Sequence, residues 1–177
     1  MLVRLSVREF QNPGENCQVF RLTLNTLHYL ESGLRNEDFL KPVFELRLMT
    51  ELGMMPDLLM CRQCGTFLPE RLSFFPEQGC FYCADCADYG KAEIISTPIL
   101  LQKSALQAMR HIVFADFDRL FSWSLGEKNL AAVGQCAQQF VRYHLGLRIP
   151  ALDFYHQIKH QGEENRHESK LSDTGVS

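Results

Sequence analysis

The sequence predicts a mainly α fold: a helical, bundle-like domain with an inserted β-hairpin that bears four cysteines. Apolar residues recur at three-to-four spacing over most of the chain, as they do on the buried face of a helix. That periodicity stops at Cys61 and returns only after Cys86, and five of the seven cysteines fall in this interval. Such clustering in a reducing compartment is typical of metal ligation, whereas a disulfide framework would spread along the chain.

Two helices are predicted before the hairpin. The first covers residues 17–31 and ends near Gly33, and its spacing assigns these residues to the core: Phe20, Leu24, Leu27, Tyr29 and Leu30. The second has its cap in segment 36–38 and stops at Gly53. Pro42 indicates that its regular part begins only at the proline, after a short turn.

Two longer helices are predicted after the hairpin. One begins at the cap Ser96-Thr97-Pro98 and runs to about Val113. The other begins near Glu127 and ends before Gly146, with a core face made of Leu130, Val133, Ala137, Phe140, Val141 and His144. A short terminal helix is expected at 151–158, after Pro150.

These elements divide the chain into four predicted parts. The N-terminal helical part covers 1–60, and the hairpin insertion, expected to have few apolar residues of its own, covers 61–90. The C-terminal helical part covers 91–160 and packs on residues 17–60. Residues 161–177 contain almost no apolar groups to offset the entropy of ordering, so a disordered tail is expected there.

The cysteines form two Cys-x-x-Cys pairs, which we call the first cysteine pair (Cys61 and Cys64) and the second cysteine pair (Cys83 and Cys86). Eighteen residues, 65 to 82, separate them, which fits the roughly 15–20 residues of a zinc ribbon. Four thiolates satisfy the tetrahedral preference of zinc and leave no open coordination position. The sequence therefore predicts one structural Zn²⁺ ion held by Cys61, Cys64, Cys83 and Cys86, and a metal that does not catalyse.

Cys80 leaves this ligand set open, because Cys80 and Cys83 form a further Cys-x-x-Cys. We prefer the later pair because Cys80 follows the turn at 76–79 directly and would be drawn into the second strand. Two other interpretations are a set of ordinary buried thiols and a redox or iron site. A redox dithiol is expected beside a βαβ pattern, which the sequence lacks.

Composition and motifs narrow the functional classes. With a net charge of −3 and a pI near 6.1, the chain has no overall basic field to attract nucleic acid. No apolar run approaches the roughly 20 residues of a membrane span, and the charged N-terminus is unlike a signal peptide. We expect a cytoplasmic protein with no membrane contact.

No enzyme is predicted, because phosphate loops, nucleophile elbows and Cys/His nucleophile arrangements are all lacking in the sequence. His111, His144 and His156 have no second ligand at metal-binding spacing. The basic side chains are scattered, and we interpret them as solvated helix faces: Lys41, Arg47, Arg62, Lys103, Arg110, Arg119, Arg142 and Arg148.

Several short motifs carry a family resemblance over about residues 17–160. They are Phe44-Glu45-Leu46-Arg47-Leu48, Leu52-Gly53, Pro56-Asp57-Leu58, Cys61-x-x-Cys64-Gly65, 74–79, Cys83-x-x-Cys86, 108–112, 143–146 and Leu152-Asp153-Phe154. Together they resemble the bacterial RecO recombination-mediator family, in its helical, zinc-binding C-terminal part. A pair of glycines usually precedes the second cysteine pair in that family. Cys80 stands in the place of the second glycine, so the resemblance favours Cys80 as a spare thiol.

The resemblance implies a non-enzymatic factor of DNA repair and homologous recombination, in the RecF pathway. Such a factor helps to load recombinase on single-stranded DNA coated by single-strand-binding protein, and anneals complementary strands. The implied partners are a RecR-like protein, the C-terminal tail of single-strand-binding protein and single-stranded DNA, in the bacterial cytoplasm at the nucleoid. The alternative is a zinc-ribbon scaffold for protein–protein contacts without DNA binding.

Two features of the sequence refine this expectation. Family members have an N-terminal OB-type barrel before the helices. We expect this chain to lack that barrel, so its DNA binding is expected to be weak or lost. Lys41 and Arg47 flank an apolar helical segment, an arrangement that suits an acidic peptide with an aromatic end. The resemblance suggests the tail of single-strand-binding protein as that peptide. The alternative is that Arg47 only pairs with Glu51, four residues on.

Overall fold

The computed structural model describes residues 16–88 and 97–145, and the statements below concern that part of the chain. Its elements in order are α1 (Asn16–Glu31), α2 (Glu37–Glu51), β1 (Arg71–Phe75), β2 (Cys80–Cys83), a 3₁₀ turn (Ala84–Cys86), β3 (Ile99–Gln102), α3 (Lys103–Phe114) and α4 (Glu127–Leu145). The predicted mainly α fold with an inserted, cysteine-bearing hairpin is confirmed. The terminal helix predicted at 151–158 and the tail at 161–177 lie outside the described residues.

Helix α1 has the predicted bounds but a different buried face. Val19 and Leu22 are buried, and the ring of Tyr29 stacks on Phe121 with centroids 4.6 Å apart. Four residues that the spacing assigned to the core are at least half exposed: Phe20, Leu24, Leu27 and Leu30. The assignment of this face was wrong because apolar residues cover more than one side of the helix, and packing against α2 and Phe121 selects between the sides.

Helix α2 begins at Glu37, earlier than predicted, and contains Pro42. The Asn36 side chain accepts a hydrogen bond of 3.0 Å from the backbone N–H of Phe39. Acidic residues fill the first turn, where the helix dipole favours negative charge. This cap starts the helix before the proline, which removes only one backbone donor. The helix ends at Glu51 with Leu52 as its cap, and Gly53, where the sequence predicts the stop, follows with φ 77°.

The sheet contains a strand that the sequence did not reveal. β1 is central and pairs antiparallel with β2 on one edge and with β3 on the other. The helix predicted from residue 96 was therefore wrong in its first part, because α3 starts only at Lys103. Ile99 and Leu101 are buried whereas Leu100 is 77% exposed, the alternation of a strand. The residues of β1 that pair with β3 are distant from it in sequence, so the sequence around β3 carries no local signal of this pairing.

One core joins the helices and the hairpin. Helix α2 contacts α1, α3 and α4, and the completely buried rings of Phe74, Phe75 and Phe81 extend the same cluster. The ring of Phe74 lies 6.5 Å from that of Phe140 on α4. The expectation that the hairpin has few apolar residues of its own was therefore wrong. No helix in the described ranges has the length and apolar character needed to span a lipid bilayer.

Candidate metal centre

The first cysteine pair lies on an irregular loop between α2 and β1. The backbone N–H of Cys61 donates to the carbonyl of Thr66 at 2.9 Å, and the N–H of Gly65 donates to the carbonyl of Cys61 at 2.9 Å. Gly65 has φ 74°, a left-handed conformation that costs other residues about 1–2 kcal/mol. Glycine at this position therefore lets the chain close a tight turn around the two sulfurs.

Backbone contacts tie this loop to β2. The N–H of Asp57 donates to the carbonyl of Gly79 at 2.7 Å, and the N–H of Arg62 donates to the carbonyl of Phe81 at 3.0 Å. β2 is in turn paired with β1, whose residues 72–75 are buried in the core. The loop that bears the first pair is thus fixed along the strand that leads to the second pair.

The second cysteine pair lies where β2 passes into the 3₁₀ turn. Cys83 is the last residue of β2, opposite Leu72 of β1, and Cys86 ends the turn. The backbone N–H of Cys83 donates to Sγ of Cys61 at 3.3 Å. Backbone donors of this kind stabilise charge on a ligating sulfur and orient it.

The two pairs converge on one point. The four Sγ atoms lie within 4.8 Å of one another, and those of Cys64 and Cys83 are 3.6 Å apart. A tetrahedral zinc centre with metal–sulfur bonds of about 2.3 Å requires sulfur–sulfur separations of about 3.8 Å. All seven cysteines are free thiols. The four cysteines predicted from the sequence thus lie close enough together to hold a metal ion.

The thiols of the cluster differ in acidity. A hydrogen bond of 3.1 Å with the hydroxyl of Thr66 lowers the pKa of the Cys64 thiol to about 6. Burial raises the pKa of Cys83, and it raises that of Cys86 to about 12. Zinc binds thiolates, so a metal ion that binds here must displace the protons of these thiols. The role of Thr66 had no signal in the sequence.

Cys80 lies outside the cluster. It is completely buried in β2, opposite Phe75, and its Sγ lies 3.4 Å from Oε1 of Gln78. Burial raises the pKa of its thiol. Successive side chains of a strand point to opposite faces, so residues 80 and 83, three apart, face opposite sides of the sheet.

Both cations of the predicted peptide site have partners within the chain. Lys41 Nζ lies 3.0 Å from a carboxylate oxygen of Glu45, a residue that is only 1% exposed. Arg47 Nε lies 2.7 Å from Glu51 Oε1, and its Nη1 donates to three carbonyls at the end of α3. These contacts account for the two side chains without a ligand, and the predicted binding of a peptide there stays a prediction.

The histidines considered in the sequence contact backbone carbonyls. His111 Nε2 lies 2.9 Å from the carbonyl of Arg119, and His144 Nε2 lies 3.1 Å from that of Pro76. His156 lies outside the described residues. His111 and His144 thus each join a helix to a loop. His144 is exposed, so its assignment to the core face of α4 was wrong.

Comparison with known proteins gives a consistent result. A family model described as "Recombination protein O C terminal" matches residues 2–153. A DNA repair protein RecO from Acetivibrio thermocellus is 26% identical over 77% of this chain and 53% of its own length. One from Desulfosudis oleivorans is 30% identical over 80% of this chain and 56% of its own length, and one from Lawsonia intracellularis is 26% identical over 73% and 51%.

The chain spans about half the length of the curated relatives that it matches. The family model covers most of the chain itself, including both cysteine pairs and all the described helices. The chain therefore belongs to the family of the recombination protein O C-terminal part.

Proposed function

We propose that the chain is the helical, metal-binding part of a non-enzymatic factor of DNA repair and homologous recombination. The observation that carries this proposal is the match to the recombination protein O C-terminal family together with the converging cysteines. Its relatives bear the name DNA repair protein RecO. The factor assists recombinase loading and strand annealing on single-stranded DNA coated by single-strand-binding protein, in the bacterial cytoplasm at the nucleoid.

The metal in this proposal is one zinc ion held by the two cysteine pairs. Sulfur-only tetrahedral sites select zinc or iron–sulfur chemistry, and zinc suits a site of structural purpose. Four thiolates leave no position for water or substrate, so the ion supplies stability and no reaction. It holds the loop of the first pair against the turn of the second, within the hairpin part 61–90.

The proposed partners are a RecR-like protein, the tail of single-strand-binding protein and single-stranded DNA. The test follows annealing of complementary oligonucleotides coated with single-strand-binding protein, with the chain and the RecR-like protein of the same organism. Annealing is expected to be faster with the chain than with the RecR-like protein alone. This acceleration is expected to decrease at high salt, because phosphate contacts release counterions. No acceleration at any salt concentration would contradict the proposed role.

The second candidate function is a zinc-ribbon scaffold that binds protein partners without DNA. The net charge of −3 favours it, since the chain has no overall basic field. Fluorescence anisotropy of a labelled single strand separates the two candidates. Binding that weakens steeply with salt supports the repair factor, whereas capture of the RecR-like protein with no DNA binding supports the scaffold.

We place the docking site for the tail of single-strand-binding protein beside Lys41 and Arg47 on α2. A tail carboxylate there has to compete with Glu45 and Glu51, which already lie 3.0 and 2.7 Å from these cations. A labelled tail peptide is titrated against the wild type, Lys41→Ala and Arg47→Ala at two salt concentrations, with the unfolding midpoint of each variant measured in parallel. Weaker binding in both folded variants is expected. Unchanged binding removes this helix as the site.

A further inference from the structure

Arg110 makes an unusual set of contacts for a residue that the sequence assigned to a solvated helix face. It lies on α3 and its guanidinium Nε donates to the carbonyl of Leu58 at 2.7 Å. Its Nη2 donates to the carbonyl of Leu59 at 2.6 Å and also to the carbonyl of Phe67. The guanidinium carbon lies 4.1 Å from the centroid of the Phe67 ring. All these partners belong to one segment, residues 58–67, which we call the metal loop.

The contacts of Arg110 bracket the first cysteine pair. Leu58 and Leu59 come shortly before Cys61, and Phe67 comes three residues after Cys64. Between them the loop is closed by its own hydrogen bond from Cys61 to Thr66. One side chain therefore holds both ends of the segment that presents two of the four sulfurs.

Helix α3, which carries Arg110, is packed firmly in the core. Leu106, Met109 and Val113 on the same helix are buried in the core, so Arg110 is carried by an element that the core fixes. The metal loop has few such contacts of its own, because most of its residues from 59 to 67 are exposed. The hydrogen bonds of the guanidinium thus fix the metal loop relative to the core.

The chemistry of the contact requires arginine. A planar guanidinium offers five donors in a fixed fork and can bind three carbonyls while it stacks on an aromatic ring. A lysine ammonium is a point charge on a flexible stem, and it cannot hold the same three carbonyls and the ring together. Arg110→Lys therefore keeps the charge and removes the geometry.

We propose that Arg110 is a positioning residue for the metal: it holds the metal loop in the conformation in which Cys61 and Cys64 meet the second cysteine pair, and so sets how tightly zinc is kept. This inference rests on the proposed binding of zinc at the four cysteines. Residues that orient metal ligands from outside typically change metal affinity by about 10–100-fold when they are replaced.

The test measures zinc affinity of the full chain by competition with a chromogenic chelator, for the wild type, Arg110→Lys and Arg110→Ala. Arg119→Ala is the matched control, since Arg119 lines the same surface groove as Arg110 and its side chain is exposed. Both Arg110 variants are expected to bind one zinc about 10–100-fold more weakly and to release it faster. Arg119→Ala is expected to match the wild type.

Hydrogen exchange of the zinc-free proteins separates positioning from a general loss of stability. Positioning predicts faster exchange in the metal loop of Arg110→Lys, with α2 and α4 protected as in the wild type. If Arg110→Ala does not fold, Arg110→Lys decides the matter. Zinc affinity of Arg110→Lys equal to that of the wild type overturns the inference. A wild-type chain that binds no zinc overturns the proposed metal site itself.

Discussion

Arg47 on α2 donates a hydrogen bond of 2.8 Å to the carbonyl of Ala115, the residue that caps the C-terminus of α3. The same nitrogen donates to the carbonyls of Ile112 and Val113, and the guanidinium lies 4.6 Å from the ring centroid of Phe117. A cation is favourable at this end of a helix, where carbonyls lack partners and the dipole is negative. Arg47 therefore links the C-terminal end of α3 to α2.

Replacement of Arg47 is expected to destabilise the fold. Arg47→Ala leaves carbonyls at the end of α3 without their charged donor, which lowers the free energy of unfolding by about 2–3 kcal/mol. The measurement is urea unfolding followed by the fluorescence of Trp123. Arg142→Ala, on an exposed part of α4, is the control and should stay within about 0.5 kcal/mol of the wild type. Equal midpoints for the two variants would contradict this role of Arg47.

Glu45 is expected to make stability depend on pH. Burial raises the pKa of its carboxyl above 4.5, although the nearby Lys41 acts in the opposite direction. The folded protein therefore keeps this proton to a higher pH than the unfolded chain does. Over that interval the unfolded state binds fewer protons, so the free energy of unfolding falls as pH rises through the folded pKa.

The variant that tests this effect is Glu45→Gln, which cannot ionise. The free energy of unfolding of Glu45→Gln minus that of the wild type is expected to be larger at about pH 8 than at about pH 5, because only the wild type loses stability over this interval. The comparison between two proteins at the same pH removes the contribution of the other carboxyl groups. A difference that stays constant over this range means that Glu45 has its ordinary pKa in the fold.

Gly79 is expected to tolerate alanine less well than Gly53. Both have positive φ, 64° and 77°, so both variants carry the backbone cost of about 1–2 kcal/mol. A Cβ at residue 79 would lie 2.8 Å from Cε2 of Phe140, whereas no atom lies within 4 Å at residue 53. Crowding in the core should therefore add about 1–3 kcal/mol to the cost of Gly79→Ala. Urea unfolding of both variants measures this difference, and equal costs would mean that the hairpin turn does not press on α4.

Removal of the metal is expected to loosen only part of the hairpin region. The metal loop and the turn that bears Cys86 should lose hydrogen-exchange protection on chelation, because their position depends on the ion. β1 should keep its protection, since Phe74 and Phe75 are buried in the core that the helices share. Loss of protection across β1, β2 and the helices together would mean that the metal supports the entire fold.

The sequence predicted best what depends on local spacing. Two Cys-x-x-Cys pairs identified the residues of the cluster, and helical periodicity located α1 and α4. It could not choose the buried face of α1, because Phe20 and Leu24 are as apolar as Val19 and Leu22. Tertiary packing, chiefly against α2, decides which of these residues face the core.

Contacts between distant residues left no sign in the sequence. β3 has a short apolar run that suits a helix as well as a strand, and it is a strand because it pairs with the edge of β1 opposite β2. Arg110 and Leu58 are 52 residues apart, and Arg47 and Ala115 are 68 apart. A basic residue on a helix therefore gave no indication of whether it met solvent or a neighbouring loop.

The proposed metal centre is one zinc ion held by four particular sulfurs. Its most direct test is the zinc content per chain, by elemental mass spectrometry, of the wild type and of five variants purified under reducing conditions. We expect about one zinc in the wild type and in Cys80→Ser, because Sγ of Cys80 lies outside the cluster. We expect much less zinc in the variants that each lose one ligand: Cys61→Ser, Cys64→Ser, Cys83→Ser and Cys86→Ser. Absence of zinc from the wild type would contradict the proposed metal centre, and full zinc in Cys83→Ser with loss in Cys80→Ser would contradict the proposed ligand set.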